Sequence, residues 1–351
     1  MRQFDYIALK DSTWDAEVVS LIAQIREYKG KQEVYLQQKP IVLQRLVEIA
    51  KIQSTDSSNK IEGIGTSDAR LKQLVNKQTK PRDRNEEEIA GYRDILTIIH
   101  DSYTHIPLTA GVILQLHRYL LAHTEKTYGG SFKSVQNYIS EAYADDSSAI
   151  RFTPSTPFET PLAIDKICAN YEQALQAQVL DPLILIPVFI GDFLCIHPFI
   201  DGNGRMSRLL TMLLLYQSDF MVGKYISLEQ RIEKTKQAYY EVLGRISIGW
   251  HEGENDYTPF IKYFLKIVLN SYRDLESRLS SVDRQETSHE IVRSAVNKTL
   301  GSFTKAQILE RCPTIGSSSV EAALKKLVEE GYIHREGAGR STTYTRNFVI
   351  R

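Results

Sequence analysis

The chain has 351 residues, with 43 Lys and Arg matched by 43 Asp and Glu, and 42% of its residues are apolar. Balanced charge gives no global field that would draw it to nucleic acid or to an anionic membrane surface. Apolar and charged fractions are ordinary for a soluble globular protein, and the length is enough for two or three domains.

Cys168, Cys195 and Cys312 are scattered without metal-ligand spacing, which fits a reducing, cytoplasmic compartment. Residues Met1 to Tyr6 lack the apolar segment of a signal peptide. The longest apolar region, Leu183 to Ile196, is interrupted by Pro187 and Asp192 and is too short to span a bilayer. The expectation is a cytoplasmic protein with no membrane partner.

In residues 1 to 50, apolar positions recur at helical spacing: Val18, Val19, Leu21, Ile22 and Ile25, then Ile41, Leu43, Leu46, Val47 and Ile49. Gly30 reads as the break between two helices. The polar run Gln53 to Glu62 then reads as a solvated helix with Gly63 as its C-terminal residue. Asn85 to Ile89 opens a further helix with acids in its first turn, favourable to the helix dipole. Thr109 caps another, whose apolar side is Ile113, Leu116, His117 and Leu120. On this pattern His117 is structural, and His100 and His105 lie at the surface near a helix end.

Tyr128 to Ile139 changes character: two glycines precede an alternating, strand-prone stretch, the mark of a hairpin. Helices are expected at 160 to 178, from Asp181-Pro182 through Ile196, after Arg208, and around Gln237 to Leu243, with 216 to 231 as a connection. Asp256 to Phe260 opens a last helix of this part, ending near Leu279. The polar stretch Ser280 to Ser288 reads as a linker. Beyond it, Thr304 caps Lys305 to Arg311, Ser317 to Ser319 precede a helix to Glu330, and Gly337 to Tyr344 reads as a hairpin. Helix, turn, helix and two strands look like a winged helix-turn-helix, which commonly binds DNA through its second helix. From Gly301 to Arg351 there are eight Lys and Arg against five Glu. That excess is a weak nucleic-acid footprint, so protein contact or dimer support is an equal alternative.

The chemistry concentrates in His197-Pro198-Phe199-Ile200-Asp201-Gly202-Asn203-Gly204-Arg205-Met206-Ser207-Arg208, followed by the apolar run Leu209 to Leu215. A glycine-rich loop opening a buried helix presents free N–H groups and the positive end of the dipole to an anion. Gly202 and Gly204 let the backbone curl around a phosphate. Arg205 and Arg208 share a face of the first turn, Asp201 can hold a divalent cation that bridges phosphate oxygens, and His197 is a candidate general base.

This stretch resembles the signature of the Fic (filamentation induced by cAMP) family, His-Pro-Phe-x-Asp/Glu-Gly-Asn-Gly-Arg-x-x-Arg, at every defined position. The resemblance covers about residues 40 to 275. It implies a mainly α helical bundle with a small β-hairpin flap, and a protein adenylyltransferase that moves AMP from ATP to a Ser, Thr or Tyr hydroxyl of a target protein, with Mg²⁺ as cofactor. The target could be the protein itself. His197 would take the hydroxyl proton and Asp201 would bind Mg²⁺. Gly202, Asn203 and Gly204 would form the anion hole, Arg205 and Arg208 would grip the β- and γ-phosphates, and Met206 and Ser207 between them are counted with the nucleotide loop. Tyr239 and Tyr240 would line the adenine pocket, where Ser247 stands near a position that carries Asn in some relatives. Phe132, Lys133, Ser134 and Val135 would belong to the flap, with Lys133 where Arg is frequent.

Ser58-x-x-x-Glu62-Gly63 is similar to the family's inhibitory motif. Lying upstream of the signature, it implies an N-terminal inhibitory helix in which Glu62 pairs with Arg208 in fork geometry. The domain plan is then 1–105 carrying that helix, 106–280 as catalytic core, and 281–351 as winged helix, with a homodimer as one possible assembly. Two other functions compete. One is a DNA-binding transcriptional regulator with a Fic-like sensor. The other is removal of AMP from a modified protein at the same site.

Overall fold

The computed structural model describes residues 2–38, 40–142, 148–283, 287–299, 301–339 and 342–347. Its N-terminal helices are α1 (Ala16–Gln38) and α2 (Pro40–Ile61). Helix α1 runs straight through Gly30, and the chain breaks at Pro40 instead. Glycine inside a helix costs only about 1 kcal/mol, whereas proline lacks the N–H that a continuing helix needs and suits a first turn. Helix α1 is held along α11 (Thr258–Asp283).

The polar run does not form a solvated helix of its own. It is the second half of α2, and Ser54, Thr55, Ser57, Ser58 and Asn59 are all buried. Helices α3 (Asp68–Val75) and α4 (Arg84–Ser102) follow, the latter capped by Asp83, which accepts from Glu86 N. His100 is buried near the end of α4, not at the surface; its ring meets Tyr216 edge-on and burial pushes it down to about 3. Helix α5 (Ala110–Leu120) starts at the Thr109 cap and buries Ile113, Leu116, His117 and Leu120.

The expected hairpin lies further along than its sequence signal. Residues 128–138 form no strand; β1 (Ile139–Ala142) pairs antiparallel with β2 (Ser148–Phe152). Then come α6 (Thr160–Ala177), α7 (Pro182–Ile196) and α8 (Asn203–Gln217). Every residue of α7 after its first proline is buried, and α8 packs against it. The expected connection contains a short 3-10 turn at Met221–Lys224 and α9 (Leu228–Lys234), before α10 (Lys236–Ser247) leads to α11. Asp192, which breaks the apolar pattern of α7, is fully buried and accepts from Tyr6, Trp250 and Tyr257, so the N-terminal segment and the start of α11 lock onto α7.

Helix α11 continues to Asp283, past the expected linker start. The C-terminal part holds α12 (Ser288–Asn297), β3 (Ser302–Phe303), α13 (Lys305–Arg311), α14 (Ser317–Glu329), β4 (Ile333–Glu336) and β5 (Thr343–Arg346). Its antiparallel sheet has the order β3-β5-β4, and it buries a core of its own around Val292, Phe303, Ile308, Leu324 and Ile333. Helix α12 and strand β3 were not anticipated from sequence. Among the described residues no helix is long and apolar enough to cross a membrane.

Candidate active site

The loop between α7 and α8 begins at His197, which closes α7 in the left-handed region (φ 51°), and ends at Gly202 (φ 84°), which opens α8. Its shape is fixed from several sides. Asn203 spends its side chain on Phe199, accepting from N at 2.9 Å and donating to O at 2.8 Å. Asn137 Nδ2 donates to the carbonyls of His197 and Phe199, Lys133 N to Pro198 O, and Lys133 Nζ to Ile196 O. His117 stacks on Phe199 with ring centroids 3.7 Å apart. Its Nδ1 accepts from Gly130 N, so Nε2 carries the proton and donates to Asp201 O at 3.0 Å. With the loop carbonyls engaged, Gly202 N–H goes to Asp201 Oδ1 and Met206 N–H to Gly202 O. The N–H groups of residues 203–205 between them have no partner within the helix, which is the anion-binding end expected.

His197 Nδ1 lies 3.2 Å from Leu194 O. A carbonyl can only accept, so Nδ1 carries the hydrogen and Nε2 keeps its lone pair. Burial pushes this imidazole down to about 4, leaving it neutral near pH 7 and able to take a proton.

Asp201 and Arg205 belong to an ion network that sequence reading missed. Arg205 is almost wholly buried, with Nη1 2.6 Å from Glu88 Oε2 and Nη2 3.5 Å from Asp201 Oδ1. Lys126 Nζ bridges Glu88 Oε1 at 2.9 Å and Asp201 Oδ2. Burial pushes the Glu88 and Asp201 carboxyls up, but the cations beside them outweigh it and hold both below the usual range. Arg205 is therefore tied into the fold through Glu88 rather than free to reach far into the cleft.

Arg208 is buried and held by α2. Its Nε donates to Ser58 Oγ at 2.8 Å, and its Nη2 donates to Ser58 O at 2.8 Å and to Glu62 Oε1 at 2.7 Å. The expected fork with Glu62 is thus a three-bond clasp in which Ser58 supplies two acceptors and Glu62 one. Burial works against the Arg208 charge, yet the Glu62 carboxylate keeps it firmly protonated. Behind the clasp, Tyr92 donates to the buried Glu229 at 3.0 Å.

These groups meet in one cleft with a cavity of about 220 Å³, lined by Glu62, His197, Asp201 to Arg205, and Arg208. Tyr239, Tyr240, Leu243, Ile246 and Ser247 of α10 form one wall, and Ile139, Arg151 and Phe152 of the hairpin another. Tyr239 is buried, while Tyr240 keeps 36% exposure and offers the open ring. Arg151, unremarked in the sequence, donates to Tyr240 O at 3.2 Å.

Several expected site residues do not reach the cleft. Met206 points into the core, and Ser207 is buried with its hydroxyl on Gly204 O. Phe132, Lys133, Ser134 and Val135 precede the hairpin instead of forming it. Lys133 is buried in the loop's support, where burial pushes its amine down to about 8, and Ser134 and Val135 face solvent.

Residues 107–215 match the family model described as Fic/DOC family. This matched segment takes in α5, the hairpin, α6, α7 and almost all of α8. Among curated proteins, protein adenylyltransferase fic-1 of Caenorhabditis elegans is 26% identical over 186 residues, covering 52% of this chain and 32% of that protein. Protein adenylyltransferase Fic of Nematostella vectensis is 24% identical over 261 residues, covering 72% of this chain and 54% of that protein. The chain thus spans a third to a half of the length of these relatives. A Fic family protein from Desulfovibrio desulfuricans G20 superposes with a TM-score of 0.62 at 20% identity, covering 95% of this chain and 97% of that one. Residues 134–508 of C. elegans Fic-1 give 0.60 at 20% identity, covering 76% of this chain and 72% of that one. The fold is that of Fic proteins.

Proposed function

We propose that this chain transfers AMP from ATP to a Ser, Thr or Tyr hydroxyl of a protein, and that Glu62 restrains it. The observation that carries the reading is the convergence in one cleft of a neutral His197, the free N–H groups at the start of α8, and Arg208. His197 Nε2 takes the proton of the target hydroxyl. That oxygen forms a bond to the α-phosphorus, the bond from the α-phosphorus to the bridging oxygen of the β-phosphate breaks, and pyrophosphate leaves. The N–H groups of residues 203–205 and the Arg208 guanidinium hold phosphate oxygens. The ring of Tyr240 stacks on the base.

Asp201 is the residue that would hold Mg²⁺. No group of three or more His, Cys, Asp or Glu with metal-binding geometry occurs among the described residues, but magnesium needs only one or two carboxylates when phosphate oxygens complete its shell. An ionised, partly exposed carboxylate at the cleft fits that need. The ion would neutralise charge on the phosphates.

Restraint follows from position. A Cβ built on Gly204 would collide with Glu62 Oε1, so the carboxylate occupies space over the phosphate loop while it engages Arg208. A γ-phosphate cannot take the same guanidinium nitrogen, and a negative charge beside the phosphates repels them. The same carboxylate supports a second reading within this site, in which Glu62 orients water to remove AMP from a modified protein. The C-terminal helices and three-stranded sheet support a winged helix contacting DNA or protein, with the exposed Lys325 and Lys326 of α14 as its basic contribution; a homodimer is the assembly we propose to test by light scattering.

The deciding experiment incubates the full chain with α-labelled ATP, as wild type, Glu62→Gly and His197→Ala. Labelled protein that increases in Glu62→Gly and vanishes in His197→Ala is the expected result. Absence of label on the chain and on a cell extract, even for Glu62→Gly, would refute the transferase reading. Release of AMP from pre-labelled protein by wild type but not Glu62→Gly would favour the second one.

A further inference from the structure

The Asp201 carboxylate is already matched by a cation of the chain itself. Lys126 Nζ donates to Asp201 Oδ2 and to Glu88 Oε1. Arg205 closes the ring from the other side, contacting Glu88 Oε2 and Asp201 Oδ1. Arg84 adds a third cation, its Nε 3.1 Å from Glu88 Oε1. Two carboxylates therefore face Lys126, Arg205 and Arg84, and the cluster carries one excess positive charge. A dication approaching Asp201 alone enters a positive field and meets an ammonium in direct contact with its ligand. A triphosphate arriving with the dication reverses the sign of that field.

The route of Lys126 to Asp201 is also informative. Lys126 follows the end of α5 and borders a surface depression with Arg84, Glu87, Thr124, Glu125 and Tyr128. None of these lines the nucleotide cleft. The ammonium thus reaches Asp201 from outside the cleft lining, and its second partner Glu88 can retain it when it leaves Asp201.

We propose that Lys126 is the resident counter-ion of Asp201 in the nucleotide-free protein, a positioning residue that a divalent cation must displace, so that metal enters with the triphosphate and not before it. The proposal rests on reading Asp201 as the metal-holding carboxylate. A lysine that merely braces the fold would alter stability on removal and leave metal affinity unchanged.

The test titrates Mn²⁺ against the full-length chain without nucleotide, followed by electron paramagnetic resonance. Lys126→Met should bind Mn²⁺ at least tenfold more tightly than wild type, and Lys126→Arg should return to the wild-type value. Glu88 keeps Arg84 and Arg205 in the Met variant, so no buried carboxylate is orphaned, and Lys126→Gln provides a polar alternative if Met impairs folding. A control measures binding of a non-hydrolysable ATP analogue with Mn²⁺ or with chelator, in wild type and Asp201→Asn. If Mn²⁺ strengthens analogue binding equally in both, the reading of Asp201 is overturned. If that dependence is lost in Asp201→Asn, yet Lys126→Met and Lys126→Gln bind Mn²⁺ no more tightly than wild type, the counter-ion role of Lys126 is overturned.

Discussion

Arg208 donates to Glu62 Oε1 at 2.7 Å, and that same oxygen lies so close over Gly204 that a Cβ there would clash with it. One carboxylate thus engages the guanidinium and covers the start of α8, and both effects end when it is removed. Glu62→Gly should raise AMP transfer. A corrected phosphate pose can be worth several kcal/mol of barrier, so a gain of about a hundredfold or more is expected. Ser58→Ala removes one of the three bonds on Arg208 and leaves the backbone acceptor and Glu62 in place, so its gain should be well under a tenth of that. Arg208→Ala should lower transfer even in the Glu62→Gly background, because it removes the proposed phosphate grip along with the clasp. Initial rates at saturating ATP check the series; equal rates for wild type and Glu62→Gly would refute the restraint.

His197 gives a prediction in pH. Its folded value is pushed down to about 4 by burial, so the neutral, proton-accepting form persists well below the ordinary histidine range. For Glu62→Gly, kcat/KM of the proposed transfer should stay level from pH 8 to about 5.5 and fall only as the pH approaches 4. A base limb centred near 6.5 would mean a solvated imidazole. His197→Ala should abolish transfer while ATP still binds, as read by calorimetry.

The signature loop was legible because its functional groups are neighbours in sequence: a turn of glycines before an apolar run places His197, Asp201 and both arginines whatever the rest of the chain does. Glu88 and Lys126 could not be read that way. They come from α4 and from the turn after α5, and only the tertiary fold carries them to Arg205 and Asp201. The burial of Ser54 to Asn59 was missed for a related reason. Polar spacing signals a solvated face, but here Ser58 meets Arg208 and α2 packs against α9. The flap was misplaced because the alternation at 132–138 looks like a strand, while the Lys133 and Asn137 side chains and the Lys133 backbone N–H are committed to the loop carbonyls. Gly30 and Pro40 show two helix breakers of unequal strength, and only the proline stopped the helix.

The buried histidines predict early acid sensitivity. His100 and His117 are held down to about 3 and about 4 by burial, against about 6.5 in an unfolded chain. Their folded values are lowered, so below pH 6.5 the unfolded state binds more protons and stability falls with pH. Each should cost about 1 kcal/mol between pH 7 and 5.5. Thermal unfolding should therefore shift to lower temperature across that interval. Replacing His100 with Phe should remove part of the shift; a melting temperature flat from pH 7 to 5.5 would contradict this.

Glu88 separates a charge role from a packing role. It is 2% exposed and pairs with Arg205, itself 1% exposed, at 2.6 Å. Glu88→Ala leaves a buried guanidinium with only the 3.5 Å contact to Asp201, and it releases Lys126 wholly onto Asp201. Breaking a buried pair by removing one partner costs about 3–5 kcal/mol, so a clear fall in urea midpoint is expected. Glu88→Gln keeps the shape and one acceptor oxygen, and should cost less than half as much. If both variants were as stable as wild type, the network would be incidental to the fold. If Glu88→Gln were stable but slow in AMP transfer in the Glu62→Gly background, the loss would belong to the charge that orients Arg205 and not to packing. Chemical denaturation and single-turnover rates on the same preparations distinguish these outcomes.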